Sequence, residues 1–328
     1  MAVSSKIRVG VLRGGPSDEY EVSLKTGATV LKHLSEAYQP IDIFIDRAGR
    51  WHTHGVGHEP HQALPKLDVI FNALHGQYGE SGEVQHFLET HQFPFSGSGR
   101  FACALATNKA LAKTMVGRLG IKTPFHKIIH REEANPIDSL AAYLYRSFPQ
   151  PSVVKPLDRG SSLGTSIVST PRELADALDH AFLVSDTVLV EEYIVGREAT
   201  CGVLENYRGE PCYAFLPVEI TPPAESRFFD YFAKYSGTSV MVCPGNFTVE
   251  EKENLQGLAQ RVHQALGLRH YSRSDFIVHP RRGIYFLEAD ALPDLIEESS
   301  PYLKSLHAVG TPIPQFLDHV IGLAMTAQ

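Results

Sequence analysis

The stretch Tyr285-Phe-Leu-Glu-Ala-Asp-Ala-Leu-Pro-Asp-Leu-Ile-Glu-Glu-Ser-Ser300 joins an apolar run to a series of acidic residues. Glu288 and Asp290 end an apolar run two residues apart, so in a strand both carboxylates face the same way. Asp275 begins another apolar run, and a hairpin across His279-Pro-Arg-Arg-Gly283 would bring the three carboxylates together. Such a cluster repels itself unless a cation neutralises it, and Mg²⁺ binds carboxylates together with phosphates. The alternative is a solvated acidic turn.

Length and composition are those of a globular protein with several domains. The 328 residues exceed the size at which a single core stops growing, so two or three domains are expected. A net charge of −7 argues against nucleic acid as a partner, because nucleic acid needs a basic face. The sequence contains no apolar run as long as a membrane span and no secretory leader pattern. Four cysteines without CxxC spacing fit a reducing compartment, so a cytoplasmic location is expected.

The first third of the chain alternates short apolar runs with helical patterns, which is typical of an open parallel sheet. The predicted strands are Ile7–Leu12, Ile41–Ile45 and Val69–Leu74. Ligands gather at the carboxyl ends of strands in such sheets. Gly14-Gly15 and His75-Gly76 follow two of these strands, so both are candidate site segments.

The rest of the chain divides into two further sections. A helix from Thr107 to about Leu119 begins the second section, and a strand at Val188–Tyr193 leaves it. The third section combines several strands with one long helix, Val249–Leu266. The predicted domains are therefore residues 1–106, 107–189 and 190–328. The fold class is α/β, with α+β character in the central and C-terminal parts.

A glycine- and serine-rich turn follows Lys155. The turn, Gly160-Ser-Ser-Leu-Gly164, lies between two predicted strands, whereas a Walker loop must precede a helix. Its glycines let backbone amides approach phosphate oxygens, and its serines add hydroxyl donors. Lys155 ends an apolar strand, where a lysine is costly to bury without an anion such as a nucleotide phosphate. Lys109 is a second candidate, although its pattern alone favours an exposed helix lysine.

The strand end Glu191-Glu-Tyr-Ile194 suits an adenine edge, to which it would present backbone groups and one carboxylate. Glu198, seven residues on from Glu191, would then reach the ribose hydroxyls. An acidic interdomain linker is the alternative interpretation.

Two other patterns point to different functions. Gly97-Ser-Gly99-Arg-Phe-Ala102 matches the dinucleotide fingerprint, but Leu119-Gly-Ile121 stands where that motif needs a ribose-binding acid. A single match of this kind is weak evidence for a nicotinamide enzyme. Four histidines crowd one glycine-containing loop segment that lacks the rigid ligand spacing of a zinc site. They are His52, His54, His58 and His61.

Nine segments, in order along the chain, resemble motifs of the D-alanine:D-alanine ligase family of ATP-grasp enzymes. The resemblance covers essentially the whole length, and the common order argues against coincidence. The segments are 12–23, 73–76, 97–99, 108–109, 154–156 with 160–164, 191–198, 229–235, 273–275 and 287–290.

The resemblance implies a three-domain ATP-grasp fold with an N-terminal open parallel sheet and ATP between the central and C-terminal domains. The carboxylate of one amino acid is phosphorylated, and the amine of a second substrate attacks the acyl phosphate. The products are a dipeptide or amide, ADP and phosphate. The resemblance further implies that the ligated product is used in peptidoglycan biosynthesis. Two Mg²⁺ ions are expected, with Mn²⁺ as an alternative. The expected partners are small amino acids or amines, and a homodimer is compatible with the resemblance.

The resemblance also implies roles for individual residues. Glu19 would bind the first substrate's ammonium together with Ser161 and Tyr235, and His75 would lie near its carboxylate. Arg273 would stabilise the tetrahedral oxyanion, and Lys234, on a mobile loop from about residue 222 to 239, would act on phosphate or substrate. The metal ligands would be Asp275, Glu288 and Asp290. The ATP-binding residues would be Lys109, Lys155, Gly160, Ser161, Ser162, Gly164, Glu191, Glu192, Ile194 and Glu198.

The chain departs from the family pattern directly after the metal residues. Asp290 replaces the usual Asn, which leaves an oxygen donor in place. The usual continuation Thr-x-Pro-Gly-x-Thr-x-x-Ser reads Ala291-Leu-Pro-Asp294-Leu-Ile-Glu297-Glu298-Ser299 here. The expected second-substrate region comprises Asp294, Ser299 and Ser300, with Glu297 and Glu298 adding charge.

An acidic pocket disfavours a second substrate with a free carboxylate, because like charges about 4 Å apart repel by about 1 kcal/mol in water and about 4 at an effective dielectric of 20. The altered segment therefore predicts an amine that lacks an adjacent carboxylate, instead of the default D-alanine. A second alternative is a non-catalytic, ATP-binding homologue that kept the fold.

Overall fold

The computed structural model describes residues 6–64, 67–134, 136–223 and 239–326. Three β-sheets follow one another along the chain, and helices pack on each. None of the helices in these ranges is long and apolar enough to cross a membrane. The four cysteines are free thiols, two of them buried. The predicted domain limits at 106/107 and 189/190 stay predictions.

The N-terminal sheet has the strand order β4-β3-β2-β1-β5, and β1 pairs in parallel with β2 and β5. This parallel centre agrees with the prediction, but a hairpin, β3–β4, extends the sheet in antiparallel fashion. The hairpin turns at His54 and Gly55, both of which have positive φ, as a two-residue type I′ turn requires. The strands are β1 (Ile7–Gly14), β2 (Tyr38–Ile45), β3 (Trp51–Thr53), β4 (Val56–His58) and β5 (Val69–Asn72).

Six helices accompany the N-terminal sheet or lead away from it. Beyond the named strands, the segment at Phe95 adds only an isolated bridge, between Ile70 and Phe95. The helices are α1 (Tyr20–His33), α2 (Pro60–Ala63), α3 (Gly76–Glu80), α4 (Glu83–Thr90), α5 (Arg100–Thr107) and α6 (Lys109–Gly117). Asn108 caps α6 by accepting a hydrogen bond from the backbone of Leu111.

The central sheet is antiparallel, in the order β6-β9-β7-β8. Its β7–β8 hairpin carries the predicted glycine- and serine-rich loop, which confirms that this loop lies between two strands. The strands are β6 (His126–His130), β7 (Ser152–Pro156), β8 (Ser166–Val168) and β9 (Thr187–Glu192). The helices are α7 (Ile137–Ser147) and α8 (Pro171–Phe182), the second with a proline in its first turn.

The C-terminal sheet has the order β13-β12-β10-β14-β15, with β11 on β10. Its β14–β15 hairpin is the predicted one, and Asp275 lies directly opposite Glu288 in its register. The strands are β10 (Arg197–Tyr207), β11 (Glu210–Ala214), β12 (Val218–Thr221), β13 (Val240–Val242), β14 (Tyr271–His279) and β15 (Gly283–Asp290). The helices are α9 (Val249–Ala265), α10 (Pro301–Ala308) and α11 (Ile313–Thr326).

One apolar cluster joins the first and third sheets. Val11 and Phe71 of the N-terminal sheet share it with Tyr271, Tyr302 and Phe316 from the C-terminal part. Burying large apolar side chains across both parts stabilises their relative position. The side chains between the two sheets are therefore held on a rigid frame.

His270 is a buried, uncharged link in this frame. Its Nδ1 accepts a hydrogen bond of 3.0 Å from the backbone of Gly97, and its own backbone N–H donates to Glu205. Burial, helped by the charge of Arg269, lowers the pKa of His270 to about 4. The unfolded chain therefore binds a proton near pH 6.5 that the folded chain accepts only near pH 4, so acid favours unfolding.

Replacing His270 by asparagine is expected to weaken the acid sensitivity of the fold. His270 has φ of 64°, which asparagine tolerates, and the asparagine Oδ1 can still accept the Gly97 hydrogen bond. Protonation of His270 in the unfolded chain lowers the free energy of unfolding by about 2 kcal/mol between pH 7 and pH 5. The variant should not show this decrease. Urea unfolding at the two pH values measures this. His54→Asn, at an exposed position with φ of 53°, is the matched control; an equal effect of both changes would contradict the assignment.

Candidate active site

Two adjoining cavities lie where the three sheets face one another. The first is lined by Glu19 and His75 from the N-terminal sheet side and by Arg273 and Asp294 from the C-terminal part. The second lies between the central and C-terminal sheets. The same three side chains line both cavities: Lys109, Arg159 and Glu288.

The second cavity contains most of the predicted ATP-binding residues. Apolar side chains from the central hairpin and from β14 and β15 line it, namely Val153, Ile167, Ile277 and Leu287. A flat aromatic base fits between apolar walls of this kind. The predicted residues that line this cavity are Lys109, Lys155, Ser162, Glu191, Glu192, Ile194 and Glu198.

Glu191 is buried between two lysines. Its carboxylate lies 2.5 Å from Lys155 Nζ and 3.0 Å from Lys113 Nζ. Burial opposes its charge, but the two lysines outweigh this and hold the pKa of Glu191 below its ordinary value. Burial lowers the pKa of Lys113 to about 8. The Glu191 side chain is thus an internal counter-ion for both lysines.

Sequence reasoning missed Lys113. Its side chain is completely buried and also donates to the backbone oxygen of Leu287, next to Glu288. Lys109 and Lys113 stand four residues apart on α6 and so share one face of the helix. That spacing is the signal that was available in the sequence.

The loop from Gly160 to Gly164 closes against the N-terminal part. The hydroxyl of Ser161 donates to the carboxylate of Glu19, and a Cβ added at Gly160 would lie 2.9 Å from Glu19 Oε2. Ser161 and Ser162 have φ of 47° and 59°, a backbone region that non-glycine residues rarely occupy and that is found at functional sites. Gly160 and Ser161 line the first cavity and Ser162 lines the second. The loop therefore separates the two cavities.

Three carboxylates and one arginine cover the end of the β14–β15 hairpin. Arg273 Nη2 lies 3.1 Å from Asp275 and 3.4 Å from Asp290, while Lys109 Nζ lies 3.4 Å from Glu288. Burial works against the charge of Arg273, but these carboxylates outweigh it and raise its pKa. Arg273 Nε is buried and has no hydrogen-bond partner among the described residues.

The carboxylates do not form a closed metal cage. Within the described ranges, the structure has no group of three or more His, Cys, Asp or Glu side chains able to hold a metal ion by themselves. Asp275 and Glu288 instead face each other across adjacent strands, and both line the second cavity. Mg²⁺ typically takes one or two carboxylates and completes its shell with phosphates and water. The donor set fits an ion that arrives with a nucleotide.

His75 and Glu80 form a buried pair in the wall of the first cavity. His75 Nδ1 lies 3.2 Å from Glu80 Oε1, and its Nε2 lies 2.9 Å from the hydroxyl of Thr26. Burial raises the pKa of Glu80 to about 7. Burial also lowers the pKa of His75, but Glu80, with the charges of Glu19 and Asp294, outweighs this and raises it. The sequence pattern did not single out Glu80, which a short helix turn brings under His75.

The predicted second-substrate region is only partly in the cavity. Asp294 and Ser299 line it, whereas the hydroxyl of Ser300 accepts from the backbone of Leu303 and caps α10. The prediction that Glu297 and Glu298 add charge to the pocket is wrong, since both are exposed and neither lines the cavity. Lys234 and Tyr235 lie outside the described residues, as does most of their predicted loop.

Two family models match the chain. The model described as D-ala D-ala ligase N-terminus matches residues 8–63 and 52–98, and that described as D-ala D-ala ligase C-terminus matches residues 115–322. A D-alanine–D-alanine ligase of Geobacter sulfurreducens is 39% identical over 292 residues, or 88% of this chain and 84% of the relative. A D-alanine–D-alanine ligase of Pelotomaculum thermopropionicum is 33% identical over 325 residues, or 97% of each chain.

Two solved structures share the architecture. The D-alanine–D-alanine ligase of Coxiella burnetii has a TM-score of 0.82 at 26% identity, covering 98% of this chain and 94% of its own. The VanG D-Ala:D-Ser ligase of Enterococcus faecalis has a TM-score of 0.83 at 28% identity, covering 97% and 99%. The predicted fold class, an α/β chain with the ATP-grasp architecture, is confirmed.

Proposed function

This chain belongs to the D-alanine–D-alanine ligase family, and from that premise we propose that it activates D-alanine and joins it to an amine. It is an ATP-dependent, ADP-forming ligase. One observation carries the proposal: the two cavities meet at Lys109 and Glu288. A nucleotide in the second cavity would point its γ-phosphate at a carboxylate held in the first.

Lysines and the glycine-rich loop would hold the phosphates. Lys155 faces the second cavity, and its ion pair with Glu191 keeps it charged. Lys113 forms the second ion pair of Glu191. Lys109 donates to the backbone oxygen of Arg159 at 2.5 Å, which ties it to the loop. This arrangement leaves a positive surface towards the nucleotide and closes the loop over it, and positioning of this kind supplies most of the catalysis in phosphoryl transfer.

Asp275, Glu288 and Asp290 would hold the magnesium ions that accompany ATP. Bound Mg²⁺ neutralises charge on the phosphates during transfer. Before the nucleotide arrives, Arg273 and Lys109 balance these carboxylates. The carboxylates at the end of the hairpin would therefore have cationic partners both without and with bound nucleotide.

The first substrate would bind between Glu19 and His75. Glu19 accepts from Ser161 and has no ion pair among the described residues, so its buried carboxylate suits an ammonium group. The raised pKa of His75 favours the imidazolium form, which suits the substrate carboxylate before phosphorylation. Arg273 Nε is the donor available to an oxyanion formed when the amine attacks.

Hydroxylamine trapping tests the proposed function without the natural acceptor. Purified protein with Mg-ATP, D-alanine and hydroxylamine should release ADP and form D-alanine hydroxamate, because hydroxylamine attacks acyl phosphates directly. Omission of D-alanine should abolish both products. A protein that releases no ADP and forms no hydroxamate with any amino acid tested would contradict the proposal.

Glu19→Gln is expected to raise KM for D-alanine about 10- to 100-fold, because it removes a charged partner of the ammonium group. KM for ATP should change little, since Glu19 does not line the second cavity. The hydroxamate assay measures both constants. Glu21→Gln is the matched control, because Glu21 is exposed and pairs with Arg47 on the surface. Equal changes in both KM values would show that Glu19 has no specific role towards D-alanine.

We also propose a cytoplasmic location, a role in peptidoglycan synthesis and a homodimer, all by analogy with the family. Cell fractionation and sedimentation equilibrium test the first and the last.

A further inference from the structure

Asp294 lines the first cavity. Its Oδ1 accepts from the backbone of Ile296 at 3.3 Å, and its backbone oxygen accepts from Ser300 Oγ at 2.5 Å. The next residue, Leu295, donates to the Thr26 hydroxyl that also contacts His75. One hydrogen bond thus orients the Asp294 carboxylate, and backbone bonds to Ser300 and Thr26 hold the segment that carries it.

Asp294 has no ion-pair partner among the described residues. Arg273, the nearest candidate by charge, makes its ion pairs with Asp275 and Asp290. Glu297, three residues further on, behaves in the opposite way and pairs on the surface with Lys32 at 2.7 Å and with His33 at 3.2 Å. The segment thus directs Glu297 outward, where two cations pair with it, and Asp294 inward, where no cation pairs with it directly among the described residues. Burial raises the pKa of Asp294, and the charges of Arg273 and His75 oppose this rise. A second cation beside Asp294 would favour its charged form further.

The charge of the whole first cavity has the same sign. Its described lining holds five carboxylates and three permanently charged cations, and Glu80 and His75 can only shift this balance through one shared proton. The carboxylates are Glu19, Glu80, Glu288, Asp290 and Asp294, and the cations are Lys109, Arg159 and Arg273. Lys109, Arg159 and Glu288 line both cavities, which leaves Arg273 as the one permanent cation facing Glu19, Asp290 and Asp294 among the described residues of the first cavity alone. The part of the cavity beside Asp294 therefore carries excess negative charge.

We propose that Asp294 selects the acceptor: a diamine, whose second ammonium group binds the Asp294 carboxylate, is preferred over an amino acid with a free carboxylate. This inference rests on the proposed function and concerns its second substrate. An acceptor carboxylate would meet a like charge at Asp294, whereas a second ammonium group would gain a charge-assisted hydrogen bond there.

The chemistry of the transfer is unchanged by this assignment. The attacking ammonium group loses one proton to water and, as a neutral amine, forms the C–N bond to the acyl carbon; its nitrogen loses a second proton to water as the amide forms. The C–O bond to phosphate breaks, and phosphate leaves with the electron pair. The second ammonium group keeps its proton and stays on Asp294, so it contributes binding and orientation only.

Three acceptors of graded charge test the inference. Phosphate release is measured with saturating Mg-ATP and D-alanine, and the increment is recorded on adding 1,3-diaminopropane, D-alaninamide or further D-alanine. Wild-type protein should prefer them in that order, with kcat/KM for the diamine at least tenfold above that for D-alanine as acceptor. Asp294→Asn should lower kcat/KM for the diamine at least tenfold. Glu297→Gln removes a carboxylate from the same segment outside the cavity and should leave the preference unchanged.

Hydroxamate formation in the same preparations separates the two proposals. If hydroxamate forms at a normal rate but wild-type protein prefers D-alanine as acceptor, the Asp294 inference is overturned and the proposed function stands. If wild-type protein forms no hydroxamate, both are overturned. The wild-type preference decides the inference even if Asp294→Asn fails to fold.

Discussion

Replacing Arg273 by methionine is expected to lower kcat about 10²- to 10³-fold, the largest catalytic effect at this site. Arg273 is buried, its Nη2 balances Asp275 and Asp290, and its Nε has no partner among the described residues. Methionine keeps most of the volume but removes the donor towards the oxyanion, and losing one preorganised donor costs about 3 kcal/mol in the transition state. It also leaves Asp275 and Asp290 close together without their cation.

The Arg273 effect should appear in kcat more than in KM, because the oxyanion exists only in the transition state. Steady-state ADP release with D-alanine and hydroxylamine measures it. Arg273→Lys keeps the charge but loses the planar donor geometry, so an intermediate loss is expected. Arg8→Met breaks a partly exposed arginine–carboxylate pair, with Asp68, outside both cavities and serves as the control for loss of an arginine. A kcat within threefold of wild type for Arg273→Met would exclude the assigned role.

Replacing Glu191 by glutamine is expected to lower the free energy of unfolding by about 3–5 kcal/mol, the largest stability effect in this region. The change leaves Lys113 and Lys155 buried side by side without a counter-ion, and removing one partner of a buried ion pair has a cost of this size. KM for ATP should rise as well, because Lys155 would lose its proton or its position.

Urea unfolding compares Glu191→Gln with Lys113→Met, its matched control. The control removes one of the two lysines, keeps the 2.5 Å pair between Lys155 and Glu191, and puts an apolar side chain in a fully buried position. A smaller loss is therefore expected for Lys113→Met. A loss below about 1 kcal/mol for Glu191→Gln would contradict the counter-ion role.

The sequence predicts the fold best where local patterns and tertiary packing agree. The β14–β15 hairpin follows from two apolar runs around a Pro- and Gly-containing turn, and its register places Asp275 opposite Glu288, as expected. The helix predicted at Val249–Leu266 is found at Val249–Ala265, because its apolar spacing matches the face that it buries. Strand and helix periods are local properties, so a single sequence contains them.

The sequence predicts less about the ion pairs and hydrogen bonds between side chains that are distant in sequence. The Glu191 carboxylate was assigned to the nucleotide, yet it neutralises two lysines from different elements, β7 and α6. Glu80 becomes important only because α3 folds it beneath His75. The outward direction of Glu297 depends on Lys32 and His33 of α1, which are distant in sequence. Such pairings depend on tertiary geometry, so residue patterns alone do not reveal them.

Isotope labelling tests most directly whether the D-alanine carboxylate is phosphorylated. D-Alanine labelled with ¹⁸O in its carboxylate is incubated with the protein, Mg-ATP and hydroxylamine, and the released phosphate is analysed by ³¹P NMR. Phosphorylation of the carboxylate where the two cavities meet predicts one ¹⁸O atom in each phosphate released, because the acyl C–O bond breaks. Phosphate without label, released together with ADP, would show that no acyl phosphate forms and would contradict the account.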